Sequence, residues 1–225
     1  MQDLGEKLAS RFNGFMENMP CPVCGLIKCR CADDLERRAQ ENLREMKRKE
    51  AEAKKQAQID RLGGVRAYED FTAEKYTNKS ILQALSGYPR ENYYLWGKAG
   101  TGKTHAAVAI IRTCPEAIVK RMSEISREIR TSEAEDEETI IDRYAYTPML
   151  LDDLGSEKAT EFLQNMLFEI MDRRWQSKQG GLIITANMSI DKLGTIIGDR
   201  TASRIAGLVG SKNTLEISGT DWRLK

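Results

Sequence analysis

Residues 92–111 read NYYLWGKAGTGKTHAAVAII. An aromatic and apolar run, short enough for a buried strand, falls into a glycine-rich turn. Lys-Thr and an apolar helical pattern follow. Within the stretch, GKAGTGKT at 97–104 fits G-x-x-x-x-G-K-[ST] without a mismatch. Glycines at 97, 100 and 102 let such a loop curl until backbone N–H groups converge on phosphate oxygens, and the next helix aims its N-terminus there. The run Gly97, Lys98, Ala99, Gly100, Thr101, Gly102, Lys103, Thr104 and His105 is therefore the candidate nucleotide-binding segment. Lys103 is placed to bridge the β- and γ-phosphates, and Thr104 to give a hydroxyl to Mg²⁺. His105 is the single histidine of the chain and is expected neither as a metal ligand nor as a catalyst.

Working outward, segments 117–122, 149–153, 182–187 and 214–218 join 92–97 as short strands, with helical segments between them. Residues 160–175 repeat apolar side chains at helical spacing through Phe162, Leu163, Met166, Leu167, Ile170 and Met171. Alternating strands and helices predict an α/β fold, a parallel five-stranded sheet in a three-layer sandwich. The strand PMLLDDLG at 148–155 ends in two acids. Asp152 is placed to hold Mg²⁺ through its water shell, and Asp153 to orient an attacking water, although two adjacent acids also suit a plain turn. GLIITAN ends on Asn187, whose amide is costly at a buried strand tip without a partner; the γ-phosphate or the water beside it would serve.

Upstream, composition divides 225 residues into an N-terminal arm, residues 1–62, and a larger domain, residues 63–225. Cys21, Cys24, Cys29 and Cys31 follow C-x2-C-x4-C-x-C. Four soft ligands in two short pairs suit tetrahedral zinc, with an iron–sulfur cluster or unligated thiols as alternatives. The segment 33–61 has no glycine or proline and carries acid-to-base pairs at i,i+4, including Glu45–Lys49, which predicts a solvated helix with a thin apolar stripe. Net charge is only +1, so bulk attraction to nucleic acid is not given by composition. The first twenty residues lack the apolar core of a signal peptide, and no run approaches the ~20 apolar residues that span a bilayer. A cytoplasmic protein without membrane contact is the expectation.

The order of these parts resembles an AAA+ ATPase. MLLDDLGSEKATEFLQNMLFEIMDRRW, LIITANMS, GDRTASRI and ISGTDWR together resemble the DnaC/IstB family of helicase loaders and transposition helpers, over residues 71–223. The resemblance implies ATP with Mg²⁺ as cofactors, hydrolysis coupled to self-assembly, and a domain without the helical lid that usually follows the last strand. It makes Arg200 the expected arginine finger entering a neighbour's site, with Arg204 a companion. On spacing alone both suit a solvated helix face, and Arg173 and Arg174 are rivals.

Two partners follow from the same resemblance: a hexameric replicative helicase gripped through the zinc-binding arm, and single-stranded DNA. Lys120, Arg121, Arg127 and Arg130 are the basic candidates for DNA, with a solvated helix face as the plain alternative. The leading expectation is thus an ATP-dependent helicase loader. A transposition helper on duplex DNA is the second, and a stand-alone nucleotide kinase the third.

Overall fold

The computed structural model describes residues 26, 31–62, 66–132, 136–156, 159–219 and 221. Contacts divide the chain into two units, Met1–Gln56 and Ala57–Lys225. Cys21, Cys24 and Cys29 lie outside the described residues, as does the side chain of Cys31.

Helix α1 spans Cys31–Arg61. The described side chains from Ala39 to Ala53 are exposed, and Lys49 meets Glu45 at 2.8 Å, one of the pairs expected from i,i+4 spacing. Leu43 and Met46 lie on the exposed surface, in keeping with a thin apolar stripe.

The second unit contains α2 (Lys79–Ala84), β1 (Tyr93–Trp96), α3 (Lys103–Ile111), β2 (Ile118–Lys120), α4 (Met122–Thr131) and α5 (Glu137–Tyr146). These are followed by β3 (Met149–Leu154), α6 (Glu161–Gln176), β4 (Leu182–Ala186), α7 (Ile190–Ile197), α8 (Asp199–Val209) and β5 (Thr214–Glu216). All five strands pair in parallel in the order β2-β3-β4-β1-β5. Period-two alternation sends neighbouring strand residues to opposite faces. Tyr94, Leu151 and Ile184 join α4 to α8 in one core, while Tyr93, Leu95, Leu150 and Ile183 join α3, Leu62 and Tyr68 in the other. The sheet is therefore covered on both sides, as continuous apolar strands require.

Each strand's bounds differ from the sequence reading by one or two residues, and two of these differences bear on the site. The second strand stops at Lys120, because the Arg121 N–H bonds the Glu124 carboxylate at 2.8 Å and opens α4 at Met122. The third strand runs one residue further, to Leu154, through a bulge between Leu151 and Leu154. That bulge puts Asp153 in the left-handed region, φ 57°, which Asp tolerates better than most residues. Its effect is to bury Asp152 while Asp153 stays exposed.

The remaining basic side chains of interest are engaged within the fold. Arg174 is fully buried and donates to the carbonyls of Tyr144, Thr147 and Gly180. Arg173 meets Glu138 at 2.8 Å, Asp142 at 2.5 Å and Glu169 at 2.6 Å. Their rival reading as arginine fingers gives way to this: both guanidiniums are spent on holding α5, α6 and the following turn together. Cys114 is a buried packing residue, as expected. Among the described residues no helix is long and apolar enough to cross a membrane.

Candidate functional site

Strand order decides which loops meet. Because β4 lies between β1 and β3, the tip of β4 falls between the phosphate loop and the acidic pair. All three open at the carboxyl edge of the sheet, where parallel α/β folds bind ligands. Gly97 can occupy its place because it has no side chain: a Cβ there would meet the Ile217 carbonyl oxygen at 2.2 Å. Gly102 is left-handed, φ 89°, and starts α3 so that its first turn faces the loop's concavity.

Lys103 is buried, and its ammonium donates to the carbonyls of Gly97 at 2.9 Å and Lys98 at 2.8 Å. It also donates to Asn187 Oδ1 at 3.0 Å. The other end of that amide, Asn187 Nδ2, donates to Asp153 Oδ1 at 3.0 Å. Asn187 is exposed at the strand tip, not buried as the sequence reading supposed, and links the lysine of the loop to the exposed acid.

Asp152 is the more enclosed acid, 4 % exposed. Thr104 Oγ1 donates to its Oδ1 at 2.8 Å, and Thr185 Oγ1 donates to the same oxygen at 2.7 Å. Tyr68 donates to Oδ2 at 2.8 Å. Burial, followed by the Asp152 charge, pushes the Tyr68 phenol far above its ordinary range, so it stays a donor at neutral pH. Thr185 also accepts from the Asp153 N–H at 2.8 Å, holding both acids in register.

A cavity of about 500 Å³ opens over this network. Besides the loop and acids it is bounded by Tyr68, Phe71, Tyr76 and Arg121. The Phe71 ring stacks on His105, 4.7 Å between centroids and 8° from parallel. His105 Nε2 lies 3.1 Å from the Thr72 carbonyl oxygen, so the single histidine closes an aromatic wall beside the loop. The donor set fits a magnesium nucleotide: a hydroxyl and a carboxylate 2.8 Å apart for a hard cation, and a buried ammonium beside an N–H-lined loop for phosphates.

Arg121 was grouped by sequence with DNA-facing cations, yet it lines this cavity. Burial works against its charge, but Tyr68 and Asp152 outweigh that and hold its pKa above the ordinary value. Lys120 is paired with Glu128 at 3.2 Å, while Arg127 and Arg130 remain exposed on α4. Arg200 and Arg204 do not line the cavity of their own chain; both lie on α8, against α6.

Sequence reasoning passed over Tyr68, Phe71 and Thr185. Thr185 carried a signal, a polar residue inside an apolar strand two positions from Asn187. Tyr68 carried none, since it arrives from a 3₁₀ turn, Arg66–Asp70, far from any motif.

Comparison with known proteins accords with this geometry. A sequence model of the IstB-like ATP binding protein family matches residues 33–225. The insertion sequence IS21 putative ATP-binding protein of Pseudomonas aeruginosa is 26% identical over 69% of this chain and 63% of its own length. The replicative helicase loader DnaC of Escherichia coli K12 is 23% identical, over 62% of each chain. The chain thus spans less than two thirds of either relative. Among solved structures, the DnaC helicase loader superposes with a TM-score of 0.58 at 20% identity, over 68% of this chain and 100% of that one. DnaA of Aquifex aeolicus, solved with AMPPCP bound, gives 0.55 at 20% identity, over 69% of this chain and 52% of that one. Those likenesses show a shared fold. The family match carries the conclusion: the chain belongs to the IstB-like ATP binding proteins, the IstB/DnaC branch of the AAA+ ATPases.

Proposed function

We propose that the chain hydrolyses ATP at contacts between its own copies, and uses that cycle to load a replicative DNA helicase onto single-stranded DNA. The observation that carries the hydrolytic part is the Lys103–Asn187–Asp153 chain of hydrogen bonds. It ties the group that would hold the transferable phosphate to the carboxylate that would orient water.

Magnesium ATP supplies the phosphoanhydride and a Lewis acid when bound. Lys103 and the loop N–H groups would hold its phosphates, and Thr104 and Asp152 its cation. Asp153, exposed at the edge of the cavity, would accept a proton from a water it orients, with Asn187 fixing its carboxylate. Arg200, on a different face, would complete the site of a neighbouring copy. A trans arginine contributes ~10³–10⁵ in rate, so turnover in dilute protein should be slow.

Similarity to DnaC and the N-terminal cysteine run favour helicase loading, with residues 1–62 as the gripping arm. The same run underlies a zinc proposal: metal analysis should find zinc in about equimolar amount, lost when Cys21 and Cys24 are replaced. Similarity to the IS21 protein favours a second reading, a transposition helper that assembles on duplex DNA. Family membership favours either over a stand-alone kinase.

One experiment separates them. Full-length protein carrying Asp153→Asn, held in ATP and magnesium, is offered a hexameric helicase and, separately, duplex DNA. Retention of the helicase, lost on deleting residues 1–62, supports the loader. Filaments on duplex DNA without helicase retention support the helper. Full ATP turnover by dilute wild-type protein, unchanged on concentration, would remove the self-assembly part of both.

A further inference from the structure

Helices α6 and α8 meet along a seam where two arginines sit over two aromatic rings. The Arg200 guanidinium carbon sits 4.3 Å from the centroid of Phe168, and that of Arg204 sits 4.4 Å from the centroid of Trp175. Phe168 and Trp175 are seven apart on α6, and the arginines four apart on α8, so each pair recurs along facing helix stripes. Gly207 completes the fit, since a Cβ there would come within 3.0 Å of the Trp175 indole nitrogen.

The two stacks have different charge environments. Arg204 is neutralised by Asp172, Nε to Oδ1 at 2.6 Å, so its charge is spent within the fold. Arg200 is exposed, and among the described residues its guanidinium has a ring beneath it and no ion pair. The contact with the ring engages the cation and not its N–H donors. On this exposed side chain the N–H fork, which matches phosphate oxygens, makes no ion pair among the described residues.

We infer that Phe168 is a positioning residue for Arg200, a platform that holds an exposed guanidinium without an ion pair of its own for an anionic acceptor on another copy, while Trp175 and Asp172 spend Arg204 on fixing α8 to α6. This rests on the reading of Arg200 as the residue that completes a neighbour's site. An unsupported arginine would have to surrender its side-chain freedom on each encounter. The ring restricts that freedom beforehand, which is how preorganisation raises a rate without a new contact.

The test is a double-mutant cycle on the full chain, using Phe168→Leu, Phe168→Tyr, Arg200→Ala and the Leu/Ala double variant. ATP turnover is measured against protein concentration, nucleotide affinity is measured separately, and thermal unfolding confirms that each variant folds. Phe168→Leu should lower the concentration-dependent kcat about three- to tenfold, leaving nucleotide affinity unchanged, and Phe168→Tyr should retain it. In the Arg200→Ala background, Phe168→Leu should have no further effect.

Nitrogen-15 NMR of the arginine side chains gives a readout that does not depend on turnover. The Arg200 Nε–H should be shifted by the ring current in wild type and lose that shift in Phe168→Leu. Loss of the shift with wild-type kcat overturns the positioning role while leaving Arg200 in place, provided Arg200→Ala is impaired. An equal fall in kcat with and without Arg200 also overturns it. Normal turnover by Arg200→Ala overturns both readings.

Discussion

Asn187 donates to Asp153 across 3.0 Å from the tip of the neighbouring strand, while its carbonyl accepts from Lys103 at the same distance. One amide therefore senses both sides of the cavity. Replacing it with alanine should leave Lys103 held by two carbonyls, and so spare nucleotide binding, while freeing the Asp153 carboxylate. Turnover at saturating ATP should fall about 10²-fold with affinity changed less than threefold. Steady-state kinetics beside a fluorescent-nucleotide titration checks this. An equal loss in binding would mean that the amide serves Lys103 instead.

Tyr68 holds the second oxygen of Asp152 from outside every motif. Tyr68→Phe keeps the ring against Phe71, 5.4 Å between centroids, and removes only the donor. A hydrogen bond to a charged acceptor contributes about 1.5–3 kcal/mol. The carboxylate should then be less well fixed toward the cation. Magnesium's enhancement of ATP affinity should drop several-fold while magnesium-free nucleotide binding stays as in wild type. Calorimetric titration with and without magnesium measures both, and an unchanged enhancement would make Tyr68 a packing residue only.

The contrast between these two residues explains what sequence could and could not reveal. Lys103, Thr104, Asp152 and Asn187 sit at fixed offsets from strand ends, so chain-local spacing locates them. The sheet also announced itself, because strands buried on both faces read as apolar runs such as LIITA. Tyr68 and Arg121 reach the cavity only because strand order brings distant segments to one edge, and nothing local encodes that order. Spacing alone therefore gave no sign that the basic side chain just past β2 stands beside Asp152. Likewise, Arg173 and Arg174 are adjacent and chemically identical, yet helix rotation makes one a partly buried ion-pair hub and buries the other fully.

That buried side chain gives a stability prediction. Arg174 donates to carbonyls at the end of α5, in the turn before β3 and in the turn after α6, and burial pushes its pKa down to about 10. No other side chain type supplies such a fork. Arg174→Met would leave these carbonyls without their donor, at a cost of about 2–4 kcal/mol. For a domain of this size the Tm should fall by roughly 10 °C. Arg174→Lys should recover only part of that, because an ammonium does not reproduce the planar fork. Scanning calorimetry of both variants would decide the point, and a wild-type Tm for Arg174→Lys would show that charge alone suffices.

Glu128 makes acid sensitivity testable. Burial favours its neutral form, but hydrogen bonds from Tyr144 and Lys120 and the charges of Lys120 and Arg143 outweigh that, so its folded pKa lies below the ordinary 4.5. With the folded value depressed, the unfolded chain binds the proton more readily. The stabilisation is complete above about pH 5 and is lost as pH falls through 4.5 toward the folded pKa. Glu128→Gln keeps the shape and removes the titration. Its stability should lie below wild type at pH 7, and the gap should narrow on acidification below pH 4.5, where Glu128 itself becomes neutral. Urea unfolding of both proteins from pH 7 to pH 3 follows the gap directly. A gap constant across that range would mean that the carboxylate's charge contributes nothing to holding β2, α4 and α5 together.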